Sequence, residues 1–204
     1  NGSSDNCEIG YFKARRMNVA CGKSTDWGDY VDFCCEDIGT TQMVAFEITD
    51  KAGNKNTCMV EVNVEDKLRP TIICPPDITL ACTDNYDLTD LSPFGTVVTN
   101  PSLRKDIVIN NFYHKGLVGK DGLALDNCSV TVESKFKVDI NCHTGYIYRT
   151  FIATDHSGNK DSCRQIITIL NPNPFTDKNI TAPQPYIGNG CKVLDADPEI
   201  TGKP

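Results

Sequence analysis

The sequence predicts an all-β protein, a tandem array of small β-sandwiches held together by disulfides. Three observations carry that prediction. First, one stretch occurs twice: Phe46-Glu-Ile-Thr-Asp-Lys-Ala-Gly-Asn-Lys-Asn-Thr-Cys58 and Phe151-Ile-Ala-Thr-Asp-His-Ser-Gly-Asn-Lys-Asp-Ser-Cys163. Phe, Thr-Asp, Gly-Asn-Lys and Cys keep their places at an offset of 105 residues, which is the size of a domain rather than of a solenoid repeat. Second, the chain carries 11 cysteines against one tryptophan and three methionines, the signature of small oxidised domains. Third, apolar alternation breaks off at turn residues every 8–12 positions or so, the spacing of sandwich strands.

Each copy of the stretch reads as a β-hairpin. An alternating run (Met43-Val-Ala-Phe-Glu-Ile; Tyr146-Ile-Tyr-Arg-Thr-Phe-Ile) enters an Asp-x-x-Gly-Asn turn, and a second one leaves it (Met59-Val-Glu-Val-Asn-Val; Arg164-Gln-Ile-Ile-Thr-Ile). Aspartate hydrogen-bonds the turn backbone, and glycine and asparagine tolerate positive φ there. Upstream, Asp5-Asn-Cys7 recurs as Asp126-Asn-Cys128, and Cys21 and Cys142 each follow 14 residues later. Between Cys21 and Asp50 the first copy holds 16 residues more than the second does between Cys142 and Asp155. This insertion contains the only tryptophan and the adjacent Cys34-Cys35.

Val64 to Pro70 and the Pro-rich run behind it read as a stiff connection, after which Ile78–Leu80 begin a new edge strand. Further strands are expected over Gly95–Thr99, Asp106–Tyr113, Ser129–Val138, Tyr146–Ala153 and Arg164–Leu170, and no helix is expected. The tail Ile180-Thr-Ala-Pro-Gln-Pro-Tyr-Ile-Gly-Asn-Gly-Cys191 echoes Ile72 to Cys82 as the opening of a third repeat. The chain thus divides into the back of one repeat (1–69), a whole repeat (70–170) and an opening segment (171–204). That last piece either begins a third repeat or completes a neighbouring subunit.

Together these elements resemble the HYR-like, immunoglobulin-like tandem repeats of large cell-surface proteins of Bacteroidota, gliding-motility adhesins among them. The resemblance rests on Pro-x-Ile-x-Cys-Pro-x-Asp-Ile-Thr-x-x-Cys (Pro70 to Cys82), on Asp126-Asn-Cys128 and on the two Thr-Asp-x-x-Gly-Asn-x-x-x-Cys hairpins. The chain departs from it in the insertion and at Ala182, where the opening motif has Cys74. The resemblance implies immunoglobulin-like sandwiches, secretion by the type IX route and a structural or adhesive role with no catalytic residues.

A strand plan drawn end to end pairs Cys128 with Cys163 and Cys82 with Cys142, and by repetition Cys7 with Cys58. Cys21 then requires a partner at the Cys82 position, which only Cys191 fills. Cys74 pairs either with Cys34 or Cys35 of the insertion or with Cys163, and one cysteine is left over. If the tail of one copy completes the next, Cys21–Cys191 is intermolecular and the copies form a head-to-tail filament. Otherwise the chain is a stretch of one long adhesin.

The net charge of −7 and the lack of a basic cluster speak against nucleic acid or an anionic membrane as partner. The apolar runs are strand-length, so no membrane insertion is expected. The expected location is extracellular, at the cell surface, and the expected partners are other copies, adjacent repeats or surface glycans. Trp27, Tyr30 and Phe33, set among Asp26, Asp29 and Asp32, are candidate ligand-binding residues; the competing expectation is that they pack on their own domain. Asp50, Asn54, Asp155 and Asn159 offer oxygens to calcium, against a plain turn-capping role. Zinc lacks its paired Cys-x2-Cys spacing. Cys142-His143 is a poor nucleophile–base pair if Cys142 is bridged and the two residues face opposite ways on a strand. Sequons occur at Asn1, Asn127 and Asn179.

Overall fold

The computed structural model describes residues 8–181. Cys7, Cys191 and the Asn1 sequon lie outside the described residues, as does the tail from Ala182 onward. The chain is all-β and disulfide-stapled: twelve strands and four short 3-10 turns account for its described regular structure.

The first unit is an antiparallel sheet of β1 (Ile9–Arg16), β2 (Thr41–Asp50) and β3 (Lys55–Asn63), in that order. The second hairpin is β11 (Thr144–Asp155) and β12 (Lys160–Leu170). The repeated stretch folds identically at both places. Asp50 accepts from Asn54 N at 2.8 Å and Asn54 Nδ2 at 2.7 Å. Asp155 accepts from Asn159 N and Nδ2, each at 2.8 Å. Gly53 and Gly158 take φ of 90° and 87° in these turns, a conformation that costs glycine nothing.

The second unit has two layers. One sheet runs β10 (Val130–Asn141), β11, β12, β5 (Ile78–Ala81); the other runs β4 (Thr71–Ile73), β9 (Gly122–Leu125), β6 (Val97–Val98). β5 joins β12 in parallel as an edge strand, pairing Ile78 with Ile167 and Leu80 with Ile169. A separate hairpin, β7 (Asp106–Asn110) and β8 (Lys115–Lys120), closes the side. The core is Ile78, Leu80, Leu91, Phe94, Ile107, Ile147, Ile167 and Ile169. β11 and β12 supply it through strict alternation, because successive side chains point to opposite faces. The same inward row includes Arg149 and Gln165. Arg149 Nη1 donates to Gly95 O and to Gln165 Oε1, and Gln165 Nε2 donates to Pro76 O and Phe94 O.

The expected strand over Asp106–Tyr113 stops at Asn110. The Asn111 side chain accepts from Tyr113 N and His114 N, which closes a turn, and the chain returns as β8.

The disulfides follow faces rather than strand ends. Cys74 pairs with Cys163 at a Cα separation of 5.7 Å. Cys163 lies inside β12 opposite Phe151, on the face that meets β4, so it joins the two layers. The expected Cys128–Cys163 bridge therefore does not form; Cys128 precedes β10, two strands away, and bonds Cys35. The expected Cys82–Cys142 bridge fails for a related reason. Both residues lie at one end of the sheet, but β12 stands between β11 and β5, and neither cysteine is paired among the described residues. Cys21 bonds Cys34 at a Cα separation of 6.4 Å, which removes the expected Cys21–Cys191 bridge. With Cys34 and Cys35 both used elsewhere, neither reaches Cys74.

Candidate functional site: the cross-linked junction and the insertion loop

The insertion does not project from the first unit. It folds back along β1, where Ala14 and Gly28 exchange backbone hydrogen bonds of 2.8 and 2.9 Å. Its anchor is a buried ion pair. Arg16 Nη2 and Nη1 donate to the two oxygens of Asp37 at 2.7 and 3.1 Å, and both side chains are about 1–2 % exposed. Arg16 also donates to Asn18 O and Asp32 O. The guanidinium holds the Asp37 carboxyl below its usual range; burial opposes this, and the Cys34 amide, donating at 2.9 Å, adds to it. A charge buried this deeply is tolerated only with its partner and its hydrogen bonds in place.

Asp37 closes the 3-10 turn Cys35–Asp37, and that turn presents Cys35 to the second unit. Cys35 bonds Cys128 across 93 residues, at a Cα separation of 5.5 Å. On the other side Asp126 accepts from Cys128 N at 3.0 Å, fixing the Asp-Asn-Cys element. This copy of the Asp-Asn-Cys motif thus shapes a turn whose cysteine reaches the first unit.

Asn159 adds a second tie. Its Nδ2 donates to Asp155 and also to the carbonyls of Asp66 and Leu68, at 3.0 and 3.1 Å. Pro70, at the end of that linker, is fully buried. Asn54, the matching residue of the first hairpin, bonds only within its turn.

The candidate calcium residues separate. Asp50 and Asn54 satisfy each other at an exposed turn. Their hydrogen bonds, the Asn54 side chain first and then the turn amides, hold the Asp50 carboxyl below its usual range. Asp155 is buried, and one oxygen of its carboxylate lies within 4.8 Å of one oxygen each of Asp66 and Asp126, which are as close to one another. Burial pushes the Asp155 pKa up, but the Asn159 hydrogen bonds and the amides of Ser157 and Gly158 outweigh it and the net direction is down. Asn159 donates here through Nδ2, and the carboxylates that converge on a place for a hard cation are those of Asp66, Asp126 and Asp155. Sequence reasoning missed Asp66 and Asp126, because nothing in their spacing shows that the linker and the Asp-Asn-Cys turn converge. Cys21, Cys34 and Glu36 also cluster, but the two sulfurs are spent on each other.

The loop aromatics divide as well. Trp27 is half-buried, with the Arg15 guanidinium 4.8 Å from its ring centre. Phe33 packs near Arg16 at 5.9 Å. Tyr30 alone stands out, at 77 % exposure. The cleft beside it, lined by Arg15, Asp26, Trp27 and Tyr30 among others, holds about 260 Å³, below the roughly 300–1,000 Å³ of small-molecule sites.

Cys142 and His143 occupy the tip of the β10–β11 turn, with φ of 48° and 66°. They are turn residues rather than strand neighbours, and Cys142 is not bridged among the described residues.

No protein-family model and no curated protein matches the chain. No helix among the described residues is long and apolar enough to cross a membrane. Three disulfides suit an oxidising, extracellular environment.

Proposed function

We propose that the chain is a non-enzymatic structural or adhesive segment of a larger extracellular assembly, a surface filament or giant adhesin. One observation supports this most directly: the Cys35–Cys128 bond joins successive repeats covalently. A cross-link across a junction resists bending and pulling, which a load-bearing array requires and a lone binding domain does not. The hydrogen bonds from Asn159 to the linker act in the same direction. The HYR-like resemblance of the sequence agrees with this role and with placement at a cell surface, and calcium at the Asp66–Asp126–Asp155 group would stiffen the same junction.

A second reading, a carbohydrate- or protein-binding module, is favoured by one observation: Tyr30 is exposed beside Asp29 at the edge of the insertion. Stretching single molecules of the chain and of its Cys35→Ser variant tests the first reading. The wild-type junction is expected to stay closed until the units unfold, and the variant to extend earlier at lower force. Identical force–extension traces would count against a load-bearing junction. Loss of cell or glycan binding in Tyr30→Ala, with stability unchanged, would move the assignment to the second reading.

A further inference from the structure

The two hairpins are equivalent residue for residue at an offset of 105, yet their inward faces have opposite fates. In the second unit Phe151 is 2 % exposed, and Ile167 and Ile169 are fully buried. Their cover is the opening segment of the repeat. β4 brings Cys74 onto Cys163, and β5 pairs in parallel with the outer edge of β12. Asp77 Oδ1 accepts from Ile166 N at 2.7 Å and fixes the register.

In the first unit part of the equivalent face is uncovered among the described residues. Phe46, the counterpart of Phe151, is 37 % exposed, and Phe12 and Val60 on the same face are 55 % and 39 % exposed. Cross-strand pairing sets these residues side by side: Phe12 opposite Ile48, Cys58 opposite Phe46, Val60 opposite Val44. Cys58, the counterpart of Cys163, is exposed and unpaired among the described residues. The outer edge of β3 has no strand beside it among the described residues, since β3 pairs with β2 alone. The insertion covers the part of the face at Ala14, Arg16 and Val44, through Gly28 and Asp37, and leaves Phe12, Phe46, Cys58 and Val60 exposed.

We propose that this face is a binding site for an extended segment of the opening type, Pro-x-Ile-x-Cys-Pro-x-Asp-Ile-x-Leu, which docks along β3 and is locked by a disulfide to Cys58. The occupant is read from the second unit, where the same surface is covered by such a segment. Its cysteine meets Cys58 as Cys74 meets Cys163. Its two aliphatic residues fall beside Val62 and Val64 as Ile78 and Leu80 fall beside Ile167 and Ile169, and its aspartate accepts from the Glu61 amide, the counterpart of Ile166 N. Parallel strand addition supplies main-chain hydrogen bonds, and the alternate side chains supply specificity. The tail of this chain fits less well. It carries Ala182 where the opening motif has Cys74 and, in the same register, Ile187-Gly188-Asn189 where the motif has Thr79-Leu80-Ala81. In the oxidised protein the lock forms by thiol–disulfide exchange: a small disulfide takes up the two electrons and two protons released as the two thiols join.

The inference rests on the repeat-segment reading, but its test uses no adhesion or force readout, so the two can fail separately. The probe is a synthetic peptide with the sequence of Pro70–Cys82, Cys82 replaced by serine, and Cys74 activated as a mixed disulfide with thionitrobenzoate. The Cys58 thiolate attacks the peptide sulfur, the probe S–S bond breaks, and one thionitrobenzoate thiolate leaves with the bonding electrons. The 204-residue chain is expected to release one equivalent, at least tenfold faster than with a scrambled peptide. Mass spectrometry should place the peptide on Cys58, and Ile78→Asp within the peptide should abolish the preference. Equal rates for the scrambled peptide, attachment at Cys82 or Cys142, or equally fast capture by an activated Ile180–Cys191 peptide would each overturn the proposal. A native Cys7–Cys58 bond in the peptide map would do the same. Cys58→Ser is the blank; because the residue is exposed, its loss leaves the fold intact.

Discussion

Two buried arginines set the sharpest tests at the scale of single residues. Arg16 has a carboxylate and Arg149 an amide, so they respond to different changes. Asp37→Asn leaves the Arg16 guanidinium buried without its counter-charge and is expected to destabilise the chain by about 3–5 kcal/mol, read by urea unfolding. The same pair fixes a pH dependence. The folded-state pKa of Asp37 is depressed, so its stabilisation is present above the unfolded carboxylate value of about 3.9 and is lost as pH falls through the lower folded value. Acid unfolding of Asp37→Asn should therefore be flatter below about pH 4 than that of the wild type. Arg149 has no bonded carboxylate; burial lowers its pKa and the more distant Asp90 opposes this. Gln165→Leu removes the acceptor of Arg149 and the donor of two carbonyls, at about 1–3 kcal/mol for each group left unpaired. Unlike Asp37→Asn, it should leave the acid limb of the profile unchanged.

At the scale of elements, the hairpins were legible in the sequence and the disulfides were not. Alternation places β2, β3, β11 and β12, of which β2, β11 and β12 bury side chains while β3 stays exposed, and the Asp-x-x-Gly-Asn turn closes both hairpins through the same side-chain bonds. β8 and β9 were missed: they are short, and Gly116, Gly119 and Gly122 dilute their alternation. The pairings were misread because strand ends were compared without faces. A one-residue step in a strand reverses which layer a cysteine meets, and the path of the insertion back along β1 leaves no periodic signal. The convergence of Asp66, Asp126 and Asp155 was hidden for the same reason. The two turns also make a matched experiment. Asn54→Ala and Asn159→Ala remove the same turn bonds, but only Asn159 holds the linker carbonyls. Asn159→Ala is expected to cost more, by about 1 kcal/mol for each additional bond. It should also raise hydrogen exchange across residues 64–70, which Asn54→Ala should not.

At the scale of the whole molecule, the question is how covalent bonds are divided between one chain and its neighbours. Every disulfide of the described residues is internal to the chain: one within the insertion, one across the junction, one between the layers of the second unit. Cys21, which a head-to-tail polymer linked through Cys191 requires, already bonds Cys34 within its own loop. The tail offers Ala182 at the place where the opening motif carries its bridging cysteine. A copy therefore cannot lock its neighbour's uncovered patch with its own tail in the way Cys74 locks Cys163. The 204-residue chain is accordingly expected to run as one band on non-reducing gels, with its mobility shifted but its mass unchanged on reduction. Cys21→Ser should open the insertion without producing multimers. A ladder that collapses on reduction and maps to Cys21–Cys191 would mean that the loop bond yields to a neighbour, and the division of bonds argued here would be wrong. Addition of a cysteine-bearing opening segment should instead shift the single band by one peptide mass, because among the described residues the exposed patch around Phe46 and Cys58 takes one segment.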